Sequence, residues 1–184
     1  MTFLALLLFM AGAHADVVEG NPGSTVRVQI YEDLQGGDCA RFEAILQQKL
    51  LPKYGPRVVF VHRDFPLGKH DWARDGAIAS RWVYEQDPRK GIDFRRELMS
   101  EQDHLTQQNL RAWMSEFATR NQLDPKAIVD SLKDPRYAAL VDQDRTTGGV
   151  RGVTKTPTVF VHGETLVETV LYDDVARALD EALK

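Results

Sequence analysis

The stretch that most restricts how this chain folds lies between residues 25 and 65, TVRVQIYEDLQGGDCARFEAILQQKLLPKYGPRVVFVHRDF. Val26, Val28 and Ile30 alternate with polar residues, the period-2 pattern of a strand with one buried side. After the turn LQGGD, Phe42, Ile45, Leu46 and Leu50 fall at helical spacing, and Pro52 is expected to close that helix. RVVFVHRDF reads as a second strand, dense in Val and Phe and ended by Pro66. Strand, helix and strand in so short a span make a βαβ unit with parallel strands, which places the chain in the α/β class.

From about residue 70 to 147 the pattern turns helical. DWARDGAIASRWVYEQ and LTQQNLRAWMSEFATRNQL are the clearest pieces, the second with Leu110, Trp113, Met114 and Phe117 on one face. Asp124-Pro125 and Asp134-Pro135 each read as an N-cap followed by proline at the first helical position. PTVFVHG then predicts a strand, TLVETV its hairpin partner, and Asp173 the cap of a last amphipathic helix bearing Val175, Leu179 and Leu183. The order is β-α-β, helices, β-β-α. The polar stretch EGNPGS before the first strand reads as a linker.

A chain of 184 residues with 43% apolar and 27% charged residues has enough core for one globular domain without disulfide support. Its formal charge of −4 and dispersed Lys and Arg residues argue against a nucleic-acid partner. MTFLALLLFMAGAHA is an apolar run too short to span a bilayer comfortably, and Ala13 and Ala15 stand in the Ala-x-Ala arrangement of a cleavage site. Residues 1–15 are therefore expected to be a signal peptide and 16–184 the mature domain, periplasmic or secreted. No Lys or Arg precedes the run, a departure from the usual leader.

Export leads to an oxidising compartment where paired cysteines are the norm, yet Cys39 is the only cysteine. Any disulfide it forms must be with another molecule. Two readings stand for it, a small buried residue at a helix start or a reactive thiol. Gly36 and Gly37 likewise read either as a turn needing unusual backbone angles or as part of a chemical site.

The order of elements, with YEDLQGGDCARFE and GVTKTPTVFVHG, resembles the DsbA-like thiol-disulfide oxidoreductases, whose fold is a thioredoxin fold with an inserted helical subdomain, here about residues 70–147. RDFPLGKHDWARDGAIAS is similar to the family's passage from strand into insertion. The resemblance implies that Gly36 occupies the position of the nucleophilic cysteine and Gly37 that of the proline of a Cys-Pro-x-Cys motif, while Cys39 matches the resolving cysteine. It implies a cis bond before Pro157, and a peptide-binding backbone at Thr156.

The missing sulfur has a chemical consequence. The first cysteine of such a motif is acidified by the unpaired N–H groups of the helix start and forms the mixed disulfide, which the second resolves. Gly36 offers no sulfur for that step. Cys39 sits a turn deeper, and the neighbouring Asp38 carboxylate is expected to oppose its thiolate. Two functions remain in view. One is a monothiol oxidoreductase in which Cys39 exchanges with a substrate protein, glutathione or a redox partner protein. The other is a redox-inactive, chaperone-like module that holds extended or unfolded chains near Thr156 and Pro157 by strand addition.

Weaker signals point elsewhere. His62, His70, His104 and His162 lack neighbours at metal spacing, so no metal is expected, and no cofactor. Glu32, Asp33 and Asp38 are expected to form a solvated acidic rim. No nucleophile-elbow context supports a hydrolase.

Overall fold

The protein is described here by a computed structural model covering residues 16–184; the expected signal peptide, residues 1–15, lies outside the described residues. β2 (Arg27–Glu32) and β3 (Val59–Asp64) pair in parallel, as the βαβ reading requires, with Ile30 opposite His62. β4 (Thr158–Val161) adds antiparallel to β2, and β5 (Glu164–Val167) antiparallel to β4. A further strand, β1 (Val17–Gly20), runs antiparallel to β3, so the sheet order is β1-β3-β2-β4-β5.

β1 corrects the linker expected at EGNPGS, because Glu19 and Gly20 end this strand. Four residues are too few for alternation to show. Gly20 then turns the chain at φ 82°, where a Cβ would stand 2.3 Å from the Val58 carbonyl oxygen. Only glycine permits that approach.

The expected stop at Pro52 is also corrected. α1 (Gly37–Ile45) passes through a π turn, Leu46–Leu50, into α2 (Leu51–Tyr54), with Pro52 in the first turn of α2. Proline lacks an amide donor and crowds the carbonyl a turn back, and a wider turn makes room for it without ending the helix. Phe42, Leu46 and Leu50 of this run pack with Val28, Ile30 and Phe60 of the sheet. α8 (Tyr172–Ala182) adds Val175 and Leu179 to the same core. Leu171, not Asp173, precedes α8, and no side chain caps it. Asp173 and Asp174 lie in its first turn, where carboxylates favour the helix dipole.

Between β3 and β4 come α3 (Ala73–Gln86), α4 (Pro88–Ser100), α5 (Leu110–Arg120), α6 (Pro125–Asp130) and α7 (Pro135–Val150). The Asp124 and Asp134 carboxylates accept from the first-turn amides of α6 and α7, as their Asp-Pro pairs predict. Asp87-Pro88 carries the same signal and opens α4, a helix the periodicity reading passed over. A Cβ on Gly91 would lie 2.5 Å from the Tyr84 Cα, so α3 and α4 cross in direct contact. Phe94, Trp113, Met114 and Phe117 build the core of this helical block, and Leu34 and Cys39 join it.

Buried charge ties the block to the sheet. Arg95 of α4 donates to Glu32 at 2.8 Å and to Asp64 at 2.7 Å, at the ends of β2 and β3. Arg81 of α3 donates to Asp64 at 2.5 Å and also to Asp144 of α7. Burial pushes the Asp64 carboxyl up, but Arg81 and Arg95 outweigh it and hold it below its ordinary value. Arg81 and Arg95 thus keep the Asp64 carboxylate charged out of water.

Candidate functional site

The site forms where β2 ends and α1 begins. Gly36 is the N-cap of α1 with φ −88° and ψ 122°, ordinary extended backbone, so the unusual angles entertained for the glycine pair are not needed at this position. The Gly36 amide donates to the Asp33 carbonyl, and the Gly36 carbonyl accepts from the Ala40 amide. One turn into the helix, Cys39 is 1% exposed. Its sulfur accepts from the Asp33 amide at 3.4 Å and from the Thr156 hydroxyl.

Burial pushes the Cys39 thiol up to about 12, with the carboxylates of Glu32 and Asp33 adding to the rise. Asp38, expected to be the opposing charge, turns out instead to pair with Arg41. Nor do Glu32, Asp33 and Asp38 form a solvated rim: Glu32 is 2% and Asp33 1% exposed, each held by partners. Glu32 is held by His62 and by Arg95 of the helical block, and Asp33 by Gln35, Leu67 and His70 in the segments that follow β2 and β3.

The Thr156–Pro157 bond is cis. Gly36 and Thr156 line one cleft of about 410 Å³, together with Leu67, Lys69 and His70. The structure thus brings Gly36, Cys39 and Thr156 together, 120 residues apart in the chain at the extremes. The Thr156 amide and carbonyl make no hydrogen bond among the described residues. Pro157 offers its carbonyl to the Glu168 amide at 2.8 Å, which anchors the loop to the start of the segment after β5.

Two features went unread in the sequence. The Asp33 carboxylate accepts from the Gln35 amide at 2.8 Å, from the Leu67 amide at 2.6 Å and from His70 Nδ1 at 2.9 Å. An Asp two residues before a turn amide is a recognisable Asx-turn signal, but the contacts to the 67–70 segment carry none. The second is His62, which is not isolated: its Nδ1 lies 2.7 Å from Glu32 and its Nε2 3.1 Å from Glu19. Burial opposes its charge, but Glu32 and Glu19 outweigh that and raise it to about 10. Glu19, Glu43 and His62 could together offer ligand atoms within 4.8 Å of one another, yet Arg96 already bridges Glu19 and Glu43 at 2.5 and 2.7 Å. A guanidinium supplies the positive charge there.

A parallel βαβ core, a cis-proline loop facing a helix start and a helical block between β3 and β4 define a thioredoxin-fold protein of the DsbA-like kind. A family model described as Thioredoxin matches residues 13–181, and the chain belongs to that family. It is 23% identical over 175 residues to disulfide bond formation protein D of Bacillus subtilis (strain 168), covering 91% of this chain and 77% of that protein. Among solved structures it is similar to oxidised BdbD from Bacillus subtilis, at a TM-score of 0.81 and 21% identity over 91% of this chain and 92% of that one. It is also similar to the thiol-disulfide exchange protein alpha-DsbA2 from Wolbachia pipientis, at 0.77 and 20% over 90% and 86%. Among the described residues no helix is long and apolar enough to cross a membrane.

Proposed function

We propose that this protein binds extended or unfolded polypeptide in the cleft between the start of α1 and the Thr156-Pro157 loop, without thiol-disulfide turnover, in the periplasm or after secretion. The observation that carries the reading is the state of its one sulfur. Cys39 lies sealed under Thr156 and Asp33 with its thiol raised to about 12, and Gly36 contributes no sulfur in front of it. At neutral pH about one molecule in a hundred thousand would carry the thiolate. The cleft keeps what binding needs, an unpaired amide and carbonyl at Thr156 beside an open wall of glycines. The Ala13-x-Ala15 pattern supports export, and 16–184 with its helical insertion is the mature unit on this reading.

The alternative, a monothiol oxidoreductase using Cys39 with glutathione or a redox partner protein, has family membership in its favour. It requires the sulfur to emerge before it can attack.

One comparison separates the two. Wild type and Cys39→Ser would be assayed for binding of a carboxymethylated unfolded protein and for disulfide reduction with glutathione present. Equal binding by both, with no reduction by either, is the expected result. Reduction by the wild type that Cys39→Ser abolishes would overturn the proposal and establish the monothiol enzyme.

A further inference from the structure

We infer that His70 is the side chain through which the cleft contacts a bound chain, and that Asp33 is the residue that positions it. This rests on the polypeptide-binding reading and names the contact within that site. His70 lines the same cleft as Gly36, its side chain 19% exposed, and its Nδ1 is 2.9 Å from an Asp33 oxygen whose side chain has no exposure at all. A carboxylate only accepts, so Nδ1 carries the proton in the neutral ring and Nε2 carries the lone pair. Nε2 has no hydrogen-bond partner among the described residues, and it is not among the sealed unpartnered atoms, so it is open to solvent. A fixed ring with an accessible acceptor fits a donor from the ligand, and an extended chain presents one in each unpaired backbone N–H.

Asp33 does more than hold the ring. The same oxygen accepts from the Leu67 amide at 2.6 Å, and the other oxygen accepts from the Gln35 amide at 2.8 Å. Its own amide meets Cys39 and its carbonyl meets Gly36. One buried side chain therefore fixes the 67–70 wall relative to the β2–α1 turn. Around the ring the charged groups lining the cleft are Lys69 beside it, Asp38 of α1, and Lys155 and Glu168, which pair with each other.

The experiment measures binding of carboxymethylated α-lactalbumin, a permanently unfolded probe, by fluorescence anisotropy, together with histidine ring ¹⁵N resonances. His70→Leu should weaken binding about tenfold, the loss of one hydrogen bond. His70→Gln, whose amide oxygen reaches the place of Nε2, should restore most of it. Asp33→Ala removes the acceptor at Nδ1 and should free the ring to exchange between its two neutral tautomers, visible as convergence of the two ¹⁵N shifts, with weakened binding. Thermal melts identify any variant that fails to fold, and the wild-type ring shift on adding probe then serves in its place. Gly37→Trp, whose Cβ meets nothing nearer than Arg41 at 3.8 Å, blocks the cleft. If Gly37→Trp abolishes binding while His70→Leu binds as wild type does, or the ring does not respond to probe, the inference falls and the cleft reading stands. If the wild type does not bind, or Gly37→Trp binds unchanged, both fall.

Discussion

A β-carbon placed on Gly36 would lie 3.3 Å from the sulfur of Cys39. The backbone at Gly36 is extended and unstrained, so a side chain can stand there, and its sulfur would come within reach of a bond of about 2.05 Å. Gly37 is the first residue of α1, the position where proline is best tolerated because that amide has no helical partner. Gly36→Cys with Gly37→Pro should therefore form an intramolecular disulfide, read as a mass decrease of about two hydrogens relative to the reduced variant and as loss of titratable thiol. Disulfide reductase activity should appear with it. Two free thiols after mild oxidation would contradict this geometry.

Cys39 in the unmodified protein should resist alkylation. With the thiol raised to about 12 and the sulfur buried, iodoacetamide should label it only when the chain opens. Labelling in denaturant should be faster by several orders of magnitude. Native labelling at the rate of a small free thiol would show the sulfur to be accessible.

His62 makes stability fall as pH rises. Its native value of about 10 exceeds the unfolded 6.5, so between these limits the folded protein holds a proton that the unfolded chain has released. The stabilisation is complete below 6.5 and declines by about 1.4 kcal/mol per pH unit towards 10. Cys39 adds a loss of the same sign above its ordinary value of 9.0. Urea unfolding across pH 6 to 10 checks the slope, and ring NMR should find His62 doubly protonated at pH 8. A flat profile would remove the case for a charged His62.

Arg95→Met should destabilise the fold by about 3–5 kcal/mol, because it leaves Glu32 and Asp64 buried without the cation they share. Urea denaturation measures this. A loss below about 1 kcal/mol would mean that water or Arg81 takes over the role.

Much of the fold was legible in the sequence, since period-2 and period-3.6 patterns report which face of an element is buried, and Asp-Pro pairs announce helix starts. The pattern located β2, β3 and α1, and the spacing of Leu110, Trp113, Met114 and Phe117 placed a helix face that is buried as expected. It failed where a segment was short, as at β1, or where a local signal met a tertiary accommodation, as at Pro52 with its π turn. That no sulfur stands at Gly36 ahead of Cys39 was also legible, because it is read from residue types alone.

What the sequence alone determined, then, is the order of elements from β2 onward and that Cys39 is the only cysteine, with glycine at position 36. Tertiary structure alone decided that Cys39 is sealed, that Asp33 meets His70 37 residues away and that Arg95 meets Glu32 63 residues away. Periodicity encodes which side of an element faces inward. It does not encode which partner arrives there from another part of the chain, and that pairing sets the burial, the charge and the reach of every group in the cleft.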